Sequence, residues 1–291
     1  MRAAAIFGLG TSPADLEPFK ADSATTWIEG LPASASEADS IVIFGGDGTI
    51  HRHLSALVRL QLPLLVVPAG SGNDFARALR LRSIQDSLRT WRDFESGKIR
   101  PKPIDLGIIR RTDPPPIERY FCCVAGCGLD SMIARRANQM PRWLRGHGGY
   151  VLALLPELFK LPAYQVRITC GNVGGENCRD EKWRLTLLAA FANTQFYGDG
   201  MRIAPQADMA DGQLDICRIS RLNPLELFCL FPTVYFGRHL LSHKVECSKA
   251  ENVRLETEIP LEIYADGEFV CKTPAEISAA AGALNIITPS R

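Results

Sequence analysis

The apolar positions of this 291-residue chain follow two regimes. Over residues 1–100, short unbroken apolar runs alternate with stretches of helical spacing. Ala3–Phe7, Ser40–Phe44 and Leu64–Val67 read as strands, the last two buried, and Ile50–Leu60 and Ile84–Glu95 read as helices. Such alternation predicts an α/β layer with a largely parallel sheet. Beyond residue 103 strands dominate: Ile104–Ile109, Tyr120–Ala125, Tyr164–Cys170, Arg184–Ala192, Leu214–Ile219, Asn252–Thr257 and Leu261–Ala265. Turn-forming stretches such as Thr112–Pro116 and Gly171–Asn177 part them. The best helices there are Asp130–Ala137, Gly149–Phe159 and Pro224–Tyr235. The fold class is α/β plus β. A three-layer α/β domain is expected over residues 1–103 and a β-sandwich-like domain over 104–291, with the last few residues free to return to the first.

Two strand ends carry the chemistry. Ser40–Phe44 stops at Gly45-Gly46-Asp47-Gly48-Thr49, with Thr49 placed to cap a helix starting near Ile50. Glycines at a strand-to-helix turn let backbone N–H groups converge on an anion. Asp47 is a carboxylate in a loop suited to phosphate, which makes sense if a metal ion or a substrate hydroxyl lies between them. Leu64–Val67 runs likewise into Pro68-Ala69-Gly70-Ser71-Gly72-Asn73-Asp74-Phe75. Two such units side by side place two loops at one carboxyl edge of a sheet, where open α/β sheets bind ligands. Either loop alone is also compatible with a plain tight turn.

Three further segments admit a chemical and a plain reading. Asp208, Asp211 and Asp215 stand in a turn before a strand, as a hard cation prefers or as a solvated Asp-Gly turn requires. Asp266-Gly267-Glu268 ends a strand, either as a hairpin turn or with one carboxylate as general base and the other holding metal or orienting it. Arg142, Trp143 and Arg145 suit an anionic lipid surface or a surface loop with a packed Trp. His51 and His53 fall on different helix faces and make no metal pair.

Composition narrows the classes. Thirty-three basic residues oppose 32 acidic ones, so no global field points to nucleic acid. The nine cysteines show no paired CxxC units; a zinc site is not expected, and reduced thiols in a cytoplasmic protein are. The longest apolar run, Leu225–Phe236, is interrupted by Glu226 and Pro232, so a core or interfacial helix is expected rather than a membrane span.

The paired loops, and Gly70-Ser71-Gly72-Asn73-Asp74-Phe75 above all, resemble the diacylglycerol kinase catalytic-domain family, which includes bacterial diacylglycerol kinases and sphingosine kinases. NAD kinases and phosphofructokinases share a similar first motif. The resemblance spans nearly the whole chain. It implies an ATP-dependent lipid kinase with nucleotide between two domains, transferring the γ-phosphoryl group to a hydroxyl of diacylglycerol or a related lipid. ATP would meet Gly45, Gly46, Asp47, Gly48, Thr49, Gly70, Ser71, Asn73 and Asp74. It implies Mg²⁺ at Asp208, Asp211 and Gln213, the last through its backbone carbonyl. Glu268 becomes the first candidate for proton acceptor and Asp266 the second, with Asp47 a rival because the sphingosine-kinase branch assigns the base there. The expected protein is peripherally membrane-associated, with a lipid partner at a membrane surface and no nucleic-acid partner; a homodimer is compatible with the sequence.

Two departures from the family pattern stand out. The first strand ends Phe7-Gly8-Leu9-Gly10-Thr11 where the family has Asn-Pro, and the segment before Asp47 is short by what reads as a strand–helix unit. His51-Arg52 replace the family's Asn-Glu. They keep a catalytically impaired lipid- or nucleotide-binding regulator open as an alternative, beside an NAD-kinase-like phosphotransferase.

Overall fold

The computed structural model describes residues 1–21, 23–140, 161–171 and 182–290. The expected helix Gly149–Phe159 and the Arg142/Trp143/Arg145 cluster lie outside the described residues. The chain divides into two compact units, Met1–Asp105 with Gly282–Arg291, and Leu106–Ala281.

In the first unit, β1 (Arg2–Phe7), β2 (Thr26–Glu29), β3 (Ser40–Gly45) and β4 (Leu64–Pro68) form a parallel sheet in the order β2-β1-β3-β4. Ile286, at the end of β15 (Ala275–Ile286), extends it beside Leu64. Every residue of β3 is buried, so both sheet faces are covered. An unbroken apolar run is what such a position demands. The cover comes from α1 (Glu17–Lys20), α2 (Asp47–Leu60), α3 (Asp74–Ala78) and α4 (Ile84–Glu95). α2 turns Ile50, Leu54, Leu57 and Leu60 inward. Ser83 caps α4 by accepting from Asp86 N, and Ser87 Oγ donates to Val66 O of β4 at 2.9 Å. Phe19, Phe44 and Trp91 are fully buried; such side chains contribute about 1.5–3 kcal/mol each.

Two elements differ from expectation. β2 and the short α1 lie in the segment that read as short of a strand–helix unit, and β2 runs on to β3 with no helix between them. α2 starts at Asp47, with Gly46 as its extended N-cap residue, so Thr49 lies inside the first turn and is not the cap.

The second unit is mainly antiparallel. Its strands are β5 (Lys102–Arg111), β6 (Ile117–Phe121), β7 (Val124–Gly128), β8 (Tyr164–Cys170), β9 (Arg184–Ala192), β10 (Leu214–Ser220), β11 (Val245–Ala250), β12 (Asn252–Thr257), β13 (Glu262–Ala265) and β14 (Glu268–Lys272), with the first part of β15. The order β14-β13-β7-β9-β8-β12-β15 folds into a sandwich-like body, with β10 between β9 and β11, and β5 between β15 and β6. Its core takes Phe121, Ile168, Phe191, Ile216, Leu255 and Ile277 from six of these strands. Two helices follow β7 and β10: α5 (Leu129–Gln139) and α6 (Pro224–Val234). α6 opens with a reciprocal cap, Glu226 N donating to Asn223 Oδ1 at 2.9 Å and Asn223 N to Glu226 Oε2 at 2.8 Å.

The stretch expected as one strand, Tyr120–Ala125, is broken at Cys122–Cys123 between β6 and β7. Cys170 is disulfide-bonded, against the expectation of reduced thiols, while the other seven described cysteines form no disulfide.

His239, in a 3₁₀ turn over Arg238–Leu241, is fully buried, and its Nε2 lies 3.1 Å from the carbonyl of Ile203. A carbonyl only accepts, so Nε2 carries the proton of a neutral ring. Burial lowers its pKa below the ordinary 6.5, outweighing the Ile203 bond, which acts in the other direction. Below that pH the unfolded chain takes up a proton that the folded chain refuses. The contribution of His239 to stability should therefore be flat above pH 6.5 and fall as the solution is acidified. The slope is at most about 1.4 kcal/mol per pH unit. Thermal melts from pH 7.5 to pH 5.5 should show a smaller loss in His239→Gln than in wild type; equal losses would exclude His239 as the cause.

Candidate active site

The two glycine loops of the first unit pack backbone against backbone. A Cβ added to Gly46 would come within 2.7 Å of Gly70 Cα, and one added to Gly70 within 2.5 Å of Gly46 Cα. Neither position accepts a side chain without separating the loops. Asp47 then joins them: Oδ2 accepts from Asp74 N at 2.9 Å and Oδ1 from Phe75 N at 3.0 Å. A carboxylate on these first amides of α3 also suits the positive helix end. Asn73 adopts a left-handed backbone (φ 53°) and exchanges two bonds with Gly70, N to Oδ1 at 2.8 Å and Nδ2 to O at 2.6 Å. Asp74 is buried and paired with Arg77. Gly45, Gly46, Asp47, Gly48, Thr49, Gly70, Ser71, Asn73 and Asp74 thus form one local cluster. Gly48 and Ser71 face solvent.

Thr11 donates its hydroxyl to the carbonyls of Gly8 and Phe44, at 2.9 and 3.1 Å. Arg52 is exposed. Burial, and then the charge of Arg52, lower the pKa of His53.

In the second unit, Asp266 and Gly267 (φ 50° and 84°) form the two-residue turn between β13 and β14. Two positive φ values match the Asp-Gly hairpin chemistry the sequence offers. The Asp266 carboxylate grips the break between β6 and β7: Oδ2 accepts from Cys122 N at 2.8 Å, and Oδ1 from Cys123 N at 2.8 Å and Val124 N at 3.3 Å. Asn138 of α5 donates to Gly267 O at 2.7 Å. The turn is held from both ends, and the exposed Glu268 follows it at the start of β14. The two carboxylates are therefore unequal. Asp266 positions backbone, while Glu268 faces solvent.

Asp208, Asp211 and Gln213 share one turn, closed by Ala210 N to Asp208 Oδ1 at 3.1 Å and Gln213 N to Asp211 Oδ1 at 3.0 Å. Lys249 of β11 donates to Asp211 Oδ2 at 2.7 Å and lies 3.2 Å from Asp215 Oδ2. Burial raises the pKa of Asp215; Lys249 opposes that rise, and the charges of Asp211 and Asp208 add to it. Burial would lower the pKa of Lys249, but its bond to Asp211 and the charge of Asp215 carry it upward. The ammonium group thus occupies the position between Asp211 and Asp215.

Sequence reasoning missed an apolar pocket of about 40 Å³ in the second unit. Leu129 and Ile133 of α5, Leu188 of β9, and Leu227, Leu230 and Phe231 of α6 line part of it. Asp130, buried, stands beside Leu129 in the first turn of α5. The helical patterns of α5 and α6 were visible in the sequence, but not the face they share.

The α/β unit and the sandwich-like unit have the fold seen in solved structures of a diacylglycerol kinase and an NAD kinase. The diacylglycerol kinase catalytic domain model matches residues 14–107, and the model for the YegS C-terminal NAD kinase beta sandwich-like domain matches residues 123–288. A diacylglycerol kinase of Mycobacterium tuberculosis is 36% identical over 257 residues, covering 88% of this chain and 79% of that protein. One of Bacillus subtilis is 26% identical, covering 88% and 80%. Among solved structures, a diacylglycerol kinase from Bacillus anthracis superposes with TM-score 0.67 at 18% identity, covering 99% and 97%. An NAD kinase from Archaeoglobus fulgidus in complex with ATP superposes with TM-score 0.52 at 14% identity, covering 100% and 92%. The chain belongs to the diacylglycerol kinase family.

Proposed function

We propose that the chain transfers the γ-phosphoryl group of ATP to a hydroxyl of diacylglycerol or a related lipid. Beyond family membership, the observation that carries this reading is the apolar pocket flanked by α5 and α6 in the unit that also bears Glu268. At about 40 Å³ the pocket takes the end of an acyl chain and not the whole of it, so the rest of a lipid tail would lie along the exposed face of α6. On α6, Leu225 and Phe228 are 71% and 67% exposed beside the pocket-lining Leu227 and Phe231. That exposed face supports entry of the lipid from a membrane surface. No helix among the described residues is long and apolar enough to cross a membrane.

On this reading the backbone amides of the Gly45–Thr49 and Gly70–Asn73 loops receive the nucleotide phosphates, with Asp47 and Asp74 fixing the loops. Glu268 accepts the proton of the lipid hydroxyl as its oxygen bonds to the γ-phosphorus, and ADP leaves with the bridging oxygen. Asp266 acts as a positioning residue. The regulator alternative draws support from Thr11, whose hydroxyl is spent on backbone carbonyls next to the first loop.

The 208–213 turn bears on Mg²⁺. As placed, its residues do not fit the ion, because Lys249 supplies the positive charge there. A Mg²⁺ ion would have to displace that ammonium. Thermal shifts with added Mg²⁺ should therefore be small in wild type, larger in Lys249→Met, and absent when Asp211→Ala is added to it. Identical shifts in all three proteins would assign a plain lysine-closed turn.

Label from γ-labelled ATP should appear in lipid when the purified chain is offered diacylglycerol, related lipids and NAD. Label in NAD, or in neither, would replace this reading. Glu268→Gln should lower turnover about 10²–10⁴-fold with ATP affinity nearly unchanged. Normal turnover in that variant, with loss in Asp47→Asn, would move the base to the first loop.

A further inference from the structure

The break between β6 and β7 sets two thiols, given no role above, beside the positioning carboxylate of Asp266. Cys122 Sγ and Cys123 Sγ lie 3.9 Å apart, and Cys122 Sγ lies 3.4 Å from Asp266 Oδ2. All three donor atoms fall within 4.8 Å of one another. A tetrahedral Zn²⁺-type ion, with metal–sulfur bonds of about 2.3 Å and a metal–oxygen bond of about 2.0 Å, sets two sulfurs about 3.8 Å apart and a sulfur and an oxygen about 3.5 Å apart. The Cys122–Cys123 and Cys122–Asp266 separations match these edges, and Cys123 Sγ lies within 4.8 Å of the carboxylate. We propose that Cys122, Cys123 and Asp266 form a site for a thiophilic divalent cation of the Zn²⁺ class, with a fourth position left to water.

The donor set selects against Mg²⁺, since thiolate sulfur favours soft or borderline ions. Binding replaces the two thiol protons, which pass to solvent, with two metal–sulfur bonds and one metal–oxygen bond. Asp266 Oδ1 keeps its bonds to Cys123 N and Val124 N, and Oδ2, which accepts from Cys122 N, would offer its other lone pair to the ion. Both sulfurs are buried and Asp266 is partly exposed, so the ion enters from the hairpin turn. Cysteines adjacent in sequence seldom present their sulfurs to one ion. Here the strand is interrupted at that point, and Asp266 holds three consecutive amides across the interruption. The binding site does not depend on the phosphotransfer reading; if that reading holds, an ion here ties the turn that carries Glu268 to the state of the two thiols.

The test uses Cd²⁺ alone with the full, reduced chain, read by thiolate-to-cadmium absorption in the ultraviolet. Cys217 and Cys247 face each other across β10 and β11, and reduction also releases the Cys170 thiol from its disulfide, so a Cys170→Ser/Cys217→Ser/Cys247→Ser background removes these competitors. In that background the band should persist. It should weaken at least tenfold in affinity on adding Cys122→Ser or Cys123→Ser. Absence of the band, or a band indifferent to both added changes, would overturn the site. Should either serine variant fail to fold, X-ray absorption of Cd²⁺ bound to the background protein decides: two sulfur neighbours with oxygen support the site, and any other sulfur count refutes it.

Discussion

The contact between Gly46 and Gly70 is the constraint on which the first unit's loop surface depends. Two strand ends, β3 and β4, deliver loops whose Cα atoms sit too close for any Cβ. Close approach alone brings no net attraction between two polar backbones. The Asp47 carboxylate supplies it, bonding two amides of the opposite loop. Hydrogen bonds to a charged acceptor contribute about 1.5–3 kcal/mol each, enough to hold two short loops in one arrangement. In this way a motif that reads as chemistry does structural work first.

Asp266 repeats the device on a different scaffold. It accepts three consecutive amides where β6 breaks into β7, and it does so from a left-handed turn that glycine or asparagine-like residues favour. In both units the aspartate is a clasp. In the second unit the clasp leaves Glu268 exposed, the residue to which the proposed reaction gives the proton.

The apolar runs of β3 and β4 were legible because strands covered on both faces have no polar positions. The glycine loops were legible because turn geometry requires their residues. β2 was not, since Thr26–Glu29 is a short edge strand with mixed burial. The break at Cys122–Cys123 was invisible because its cause, Asp266, lies 144 residues away. Lys249 was missed for a related reason: it sits on β11, a strand of mixed polar and apolar sequence whose pairing with β10 brings it to Asp211 and Asp215. The apolar pocket depends on how α5 and α6 meet, which helical spacing does not state. Local chemistry was readable, and partners set by long-range packing were not.

The central claim is that Asp47 binds the second loop to the first through the amides of Asp74 and Phe75. Amide hydrogen exchange at those two residues, in wild type and in Asp47→Ala, tests it most directly. Loss of a charged hydrogen bond of about 1.5 kcal/mol or more predicts exchange faster by about tenfold or more, with the β3 and β4 amides unchanged. Equal protection of Asp74 and Phe75 in the two proteins would contradict it.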